Sequence, residues 1–349
     1  MSGWPPEALE PLGDLLRRHG LEGTPEVPFP NDGWSGASLS LLRRGGGDRF
    51  ILKRDSLARD WIAQATADGP ILREAWFAAN GPPLPSPIRA PYLGAGVDGD
   101  EFGILMPDLT GVLFDWDAPI SVEKLDHVLG GLASLHASPW TTSGELDGGM
   151  WCPLRERVTL ICRASLERPG PARGAVASRI LPGWDAFDRQ APPAARDLIN
   201  SLGEQPQPLL DALATMRSTL IHGDLKLANV GIEPSGTIAL VDWQMVTVAP
   251  VAVELGWFLV SNVASLPFRP DDVLTRYHAA TVNQGVAGEL TGAAWQAQTD
   301  AAILVGLLLR GWRKGADAEA GVTLASGVSA ADDLAWWCDR ALESAKRIL

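Results

Sequence analysis

Tyrosine, cysteine and histidine are scarce in this chain, with two, three and five copies among 349 residues. The cysteines at 152, 162 and 338 are odd in number and have no paired metal-ligand spacing, which argues against a disulfide framework or a zinc site and leaves reduced, buried thiols. The histidines at 19, 127, 136, 222 and 278 form no H-x-x-x-H pair, so a metal centre built on them is not expected. Basic side chains are outnumbered, 29 Lys and Arg against 42 Asp and Glu, for a net charge of −13. That balance excludes the basic footprint of a nucleic-acid binder and disfavours polyanionic partners. Long apolar runs are missing too: residues 301–309 are the most apolar stretch, far short of the ~20 that span a bilayer. Met1-Ser2-Gly3-Trp4-Pro5-Pro6 lacks the basic and apolar regions of a signal peptide, so no membrane association and a cytoplasmic location are expected.

What is present concentrates in one stretch. His222-Gly223-Asp224-Leu225-Lys226-Leu227-Ala228-Asn229, followed by Leu240-Val241-Asp242-Trp243, spaces two carboxylates and a carboxamide for Mg²⁺-dependent phosphoryl transfer. Asp224 suits the task of orienting an acceptor hydroxyl and taking its proton. Asn229 and Asp242 suit the holding of Mg²⁺ against nucleotide phosphates. Residues 218–221 read as a strand entering the loop, 229–233 and 237–241 as two strands, and Pro234-Ser235-Gly236 as the turn that folds Asp242 back beside Asn229.

His-Gly-Asp-x-x-x-x-Asn followed by Val-Asp-Trp resembles the aminoglycoside phosphotransferase and choline kinase group, relatives of the protein kinases. The resemblance implies an α+β, two-lobed protein-kinase-like fold, with a small antiparallel-sheet N-lobe and a larger, mainly helical C-lobe. It implies ATP or GTP as phosphate donor with Mg²⁺, and gives Lys226 a role at the transferred phosphate. Gly223 and Trp243-Gln244 depart from the protein-kinase pattern of His-Arg-Asp and Asp-Phe-Gly, and no Asp-Phe-Gly to Ala-Pro-Glu activation segment is evident.

A kinase reading demands an upstream nucleotide site. Asn31-Asp32-Gly33-Trp34-Ser35-Gly36-Ala37-Ser38 is a small-residue turn whose backbone N–H groups, at Ser35 and Gly36 above all, leave room for phosphates. Residues 49–53 read as a returning strand ending on Lys53, the counterpart of the kinase phosphate-binding lysine, while Gly45-Gly46-Gly47 reads as an ordinary hairpin tip. A helix over 70–79 carries Glu74, the counterpart of the glutamate that holds that lysine. Residues 101–106 read as a strand, and Met106 with Asp108 marks the hinge where adenine would meet the backbone. The expected division is an N-terminal nucleotide-binding lobe over 1–106, a hinge over 107–112 and a catalytic, acceptor-binding lobe over 113–349.

The remainder should be helical after Ser121 and over 250–263, 271–284, 291–314 and 329–348, with Gly306 a candidate interruption. A loop is expected over 168–173, and the Pro-rich segments 191–193 and 205–208 mark further breaks. Trp243 and Gln244 adjoin the metal motif and are candidate acceptor contacts. Glu254, in a helix resembling the Asp-Leu-Ala helix of small-molecule kinases, is a third. The function expected is transfer of a γ-phosphate to a hydroxyl of a small polar molecule, with amino sugars and aminoglycosides leading because Asp115, Asp117 and Glu254 would attract an amine. The alternatives are a choline or other metabolite kinase and a non-catalytic nucleotide-binding regulator.

Overall fold

The computed structural model describes residues 9–30, 33–66, 69, 71–116, 118–140, 146, 148–168, 174–285 and 291–349. Met1 to Pro6, Asn31, Asp32, Pro70, Asp117 and residues 169–173, which carried some of the expectations above, lie outside the described residues.

The strands in chain order are β1 (Glu10–Pro11), β2 (Val27–Phe29), β3 (Ser38–Arg43), β4 (Arg49–Asp55), β5 (Ile88–Arg89), β6 (Gly94–Asp98) and β7 (Glu101–Pro107). All but β5 join one sheet in the order β1-β6-β7-β4-β3-β2, antiparallel except for the β1–β6 pair. Alternation along β4 gives that sheet two apolar faces. Phe50 and Leu52 pack with Leu105, Leu42 and the leucines of helix α1 (Leu12–Arg18), whereas Ile51 joins the main core with Ile104 and Met106. Lys53, two residues beyond Ile51, therefore shares the face covered by α3 (Arg73–Asn80), which follows the short α2 (Trp61–Ala65). The observed α3 begins at Arg73, with Leu72 extended at its N-cap, so the helix expected from 70 starts later.

Two small sheets frame the segment from residue 218 to 250. β8 (Ser218–Ile221) pairs antiparallel with β11 (Thr247–Pro250), and β9 (Val230–Ile232) with β10 (Ile238–Leu240). The hairpin and the strand before it lie where the sequence placed them. β5 adds to β10 in parallel, Ile88 opposite Ile238, and so ties the nucleotide-side segment to the catalytic hairpin.

Around these sheets pack α4 (Val122–Ala137) and the helices Gly174–Gln190, Val251–Ser261, Pro270–Asn283, Gly292–Glu319 and Ala330–Ile348. Val251–Ser261 and Gly292–Glu319 meet through two glycines. A Cβ on Gly256 would lie 2.5 Å from the Ala302 carbonyl, and one on Gly306 would lie 2.9 Å from the Gly256 carbonyl. Gly306 thus serves close packing and does not interrupt its helix; the break falls at Arg310, where φ is −130° and ψ 15°. The three cysteines are free and buried. Among the described residues, no helix is long and apolar enough to cross a membrane.

Candidate active site

β8 delivers the chain into the loop of residues 222–229, and β11 returns it from residues 242–246, so the two halves of the motif face each other by strand pairing. Gly223 makes the approach possible: its φ is +83°, and a Cβ there would lie 2.0 Å from the Met245 carbonyl. His222 braces the loop. Its Nε2 donates to the Val241 carbonyl at 2.9 Å while Nδ1 accepts from the Asp224 N–H at 3.2 Å, an assignment that fixes the neutral tautomer, and burial holds its pKa below the ordinary value. Asn262 accepts from the Leu227 N–H at 2.8 Å and supports the far side of the turn.

Asp224 is 7% exposed, with the Lys226 ammonium 3.0 Å from Oδ2. Asn229 donates its Nδ2 to the Asp224 backbone carbonyl at 2.8 Å, which leaves its amide oxygen free to act as a ligand. Burial opposes the charge on Lys226, but Asp224 and Asp242 outweigh it and raise the pKa.

Asp242 lies across from this loop and is joined to the upstream lysine. Lys53 Nζ sits 2.5 Å from Glu74 Oε2 and 2.8 Å from Asp242 Oδ1. Burial opposes ionisation of Asp242, yet Lys53 and Lys226 prevail and hold the carboxyl below its usual range. The same two carboxylates keep Lys53 protonated against its burial. For Glu74 burial dominates and raises the pKa despite Lys53.

One residue of this network had no signal in the sequence. Tyr92, one of only two tyrosines, donates from its hydroxyl to Glu74 Oε1 at 2.8 Å and accepts from the N–H groups of Asp242 at 3.0 Å and Trp243 at 3.2 Å. Asp242 is the sole non-glycine with positive φ among the described residues, at φ 67° and ψ 56°. That left-handed turn aims the carboxylate back at Lys53, and the hydroxyl pins it against its conformational cost. Tyr92→Phe should strand the two backbone N–H donors, while Glu74 keeps Lys53, and cost at least about 2 kcal/mol, at about 1–3 kcal/mol per stranded group. Urea unfolding beside nucleotide KM checks this; unchanged stability would remove the pinning role.

Several residues singled out in the sequence take places of other kinds in the structure. Trp243 is fully buried, stacked on Phe77 with ring centroids 4.4 Å apart, and its indole N–H donates to Leu240. It locks α3 to the metal turn and offers no face to an acceptor. Gln244 gives its backbone carbonyl to Arg73 at 2.8 Å, and it lines a small cavity with Lys53, Asp60 and Glu74, on the nucleotide side. Glu254 has no exposure; its carboxylate accepts from the N–H of His222 at 2.6 Å and of Gly223 at 3.2 Å, so it positions the catalytic loop. Met106 is spent on pairing with Ile51 and on the core, while the Asp108 carboxylate accepts from Thr110 and faces Arg49 at 2.7 Å. The Asp108 N–H donates to the Arg49 carbonyl, and ladder alternation then turns the Pro107 carbonyl to the opposite edge. Ser35 is 8% exposed, and Gly36, at φ +107°, lies against the Arg59 carbonyl.

Burial pushes the Glu254 pKa up from 4.5 to about 7, with Arg157 and the two loop N–H groups opposing it. The folded protein therefore holds a proton that the unfolded chain releases, so stability falls as pH rises from 4.5 to about 7 and levels off above that. Glu254→Gln should abolish this slope and lower kcat, because the amide nitrogen would meet the Gly223 N–H donor to donor at a cost of about 1–3 kcal/mol. A rise in acceptor KM alone, with kcat and the pH slope unchanged, would return Glu254 to the acceptor.

The sheet-and-helix frame, the buried lysine between two carboxylates and the facing Asp–Asn loop define a small-molecule phosphotransferase of the kinase-like class. The sequence model of the phosphotransferase enzyme family matches residues 26–297, and the chain belongs to that family. A putative aminoglycoside phosphotransferase from Ralstonia eutropha superposes with a TM-score of 0.50 at 15% identity, covering 99% of each chain. For the aminoglycoside phosphotransferase of Alicyclobacillus acidocaldarius the TM-score is 0.44 at 15% identity, with 100% of this chain and 96% of that one covered. For a choline kinase from Cryptosporidium parvum the values are 0.48 and 10%, with 97% and 93% covered. At these identities the likeness is one of fold. A search of curated protein sequences gave no match.

Proposed function

We propose that the protein transfers the γ-phosphate of ATP or GTP to a hydroxyl of a small polar molecule. The observation that carries this reading is Lys53 held between Glu74 and Asp242 beside the Asp224–Asn229 loop. Asp242 and the free amide oxygen of Asn229 fit Mg²⁺, which takes one or two protein oxygens and completes its shell with phosphates and water. When bound, the ion would neutralise charge on the β- and γ-phosphates. Lys53 would meet the α- and β-phosphates, the Ser35–Gly36 turn would cover them, and the carbonyl of Pro107 would accept from the adenine amino group.

Asp224 orients the acceptor hydroxyl and receives its proton as the oxygen bonds to the γ-phosphorus. The bond from that phosphorus to the β–γ bridging oxygen breaks, and the nucleoside diphosphate leaves with the electron pair. Lys226, 3.0 Å from Asp224, supplies positive charge where the transferred group gathers negative charge.

The case for an aminated acceptor loses Glu254, which is sealed beneath the loop and bonded to its N–H groups. The reading itself is tested with purified protein, Mg-ATP or Mg-GTP, and a panel of neutral, aminated and acidic polyols, including aminoglycosides and choline. Acceptor-dependent phosphorylation above background hydrolysis is expected. Failure to bind Mg-nucleotide by calorimetry would overturn the reading.

A further inference from the structure

Two arginines that sequence reasoning passed over stand beside the catalytic loop. Arg157, in the short helix Leu154–Thr159, is 2% exposed. Its Nε donates to the Gly223 carbonyl at 2.5 Å, and its buried Nη2 has no hydrogen-bond partner. Arg310 sits at the break in Gly292–Glu319; its Nε is buried without a partner, and its guanidinium pairs with no carboxylate among the described residues. Both guanidinium carbons lie over the ring of Trp257, Arg157 at 4.8 Å and Arg310 at 5.6 Å, and Arg310 also lies 5.1 Å from the Trp312 ring.

A helix break sets the position of Arg310. The non-helical dihedrals at Arg310 interrupt an otherwise buried apolar run, and an arginine at that point swings off the packed face. Indole faces stabilise guanidinium groups by cation–π attraction, so Trp257 forms a shared platform that costs neither cation a hydrogen-bond donor. Burial depresses the pKa of Arg310 to about 10, with Arg313 acting in the same direction and Asp224 and Asp317 against it. Arg157 is bonded to the Gly223 carbonyl, one residue before Asp224, and Arg310 shares the Trp257 ring with it, so the pair stands on the Asp224 side of the catalytic loop.

Two partly or fully buried cations with unspent donors, converging on one aromatic platform, are unfavourable unless an anion completes them. We propose that Arg310, aided by Arg157, forms a subsite for an oxyanion substituent, a carboxylate or phosphate, on the hydroxyl acceptor. This rests on the phosphotransferase reading and narrows its substrate class to acidic polyhydroxylated molecules. A planar guanidinium suits a carboxylate or phosphate because it offers paired N–H groups. It repels an ammonium group, so the subsite also selects against aminated acceptors.

Three probes that share one polyol chain test this: D-gluconate, D-glucitol and 1-amino-1-deoxy-D-glucitol. Each is titrated, at constant ionic strength, into protein saturated with Mg²⁺ and a non-hydrolysable ATP analogue, and followed by tryptophan fluorescence and calorimetry. Occupying the donor site first keeps the probe from competing for the nucleotide phosphates' place. Gluconate should bind at least about tenfold more tightly than the other two, the scale of one charge-assisted hydrogen-bonded pair. Arg310→Gln should erase that preference, and Arg310→Lys should restore part of it through charge alone. Thermal unfolding of both variants identifies any loss of fold.

Equal binding of the three probes, no binding of gluconate, or an unchanged gluconate affinity in Arg310→Gln would each overturn the proposal. So would an Arg310→Gln effect confined to the ATP analogue, since the arginine would then serve the donor phosphates. Binding of the analogue with no acid preference leaves the phosphotransferase reading standing while this inference fails.

Discussion

Asp224→Asn is expected to cut acceptor-dependent transfer by a factor of at least about 100, the lower range for losing general-base assistance, while Mg-nucleotide affinity stays within about twofold. The substitution keeps the shape of the side chain. Asn229 holds the Asp224 backbone carbonyl at 2.8 Å and lies 3.5 Å from Oδ2, so the loop's principal tie survives. What disappears is the proton acceptor and the charge that faces Lys226 at 3.0 Å. The donor site, built from Lys53, Asp242 and Asn229, keeps all of its groups. Initial rates of product formation beside calorimetric titration with Mg-ATP separate the two effects. Wild-type turnover in the variant would sink the assignment of Asp224, and a large loss of nucleotide affinity would move Asp224 to the metal side.

The motif around Asp224 was legible because its chemistry is local. Asp224, Lys226 and Asn229 fall within one short loop, and a turn signal at residues 234–236 announces the hairpin that returns Asp242. Lys53 was legible from its place at the end of the 49–53 strand, between the small-residue turn and the helix that carries Glu74, and the parity it shares with Ile51 on β4 accounts for the face it takes. Tyr92, Arg157 and Arg310 were not legible in this way. Each acts through partners far away in the chain, and neither composition nor periodicity encodes which backbone groups a tertiary fold will strand beside them.

Proline marked the breaks in the middle of the chain but not the helices between them, and the reason is positional. The segments near 191–193 and 205–208 do break the helical path, yet they separate three helices, Gly174–Gln190, Pro193–Glu204 and Gln207–Ala214, that went unforeseen. Pro193 and Pro208 occupy first-turn positions, where the missing N–H costs nothing. Glu254 misled for a related reason. Its place in a helix resembling the Asp-Leu-Ala helix of small-molecule kinases read as an acceptor contact, whereas here it is a buried acceptor for two loop N–H groups. A carboxylate and a cation can both be buried near a site, and only the hydrogen-bond inventory tells which is spent. Glu254 is spent; Arg157 Nη2 and Arg310 Nε are not.

Lys53→Met should be the most disruptive change on the nucleotide side, in both affinity and stability. The lysine side chain is 12% exposed between those of Glu74 at 5% and Asp242 at 25%, so its removal leaves two neighbouring carboxylates without their cation. Breaking a buried pair in this manner costs about 3–5 kcal/mol, and the loss of the phosphate-facing cation should weaken Mg-ATP binding as well. The pH dependence provides the sharper test. In the wild type the Asp242 carboxyl is held below its usual range, so its contribution to stability is present above the ordinary carboxylate pKa and is lost as pH falls towards the depressed value. Without Lys53, burial dominates at both carboxyls and raises them, the folded state binds more protons than the unfolded chain, and stability should rise as pH falls through the ordinary carboxylate range. Glu74→Ala should be milder, because Lys53 keeps Asp242 as its partner at 2.8 Å. Thermal melts of wild type, Lys53→Met and Glu74→Ala between about pH 3 and 8 decide the matter, read as each variant's difference from wild type at the same pH, because the gain in stability that Glu254 contributes towards acid is common to all three. A Lys53→Met penalty that does not shrink as pH falls through the ordinary carboxylate range would show that the lysine does not control these carboxylates.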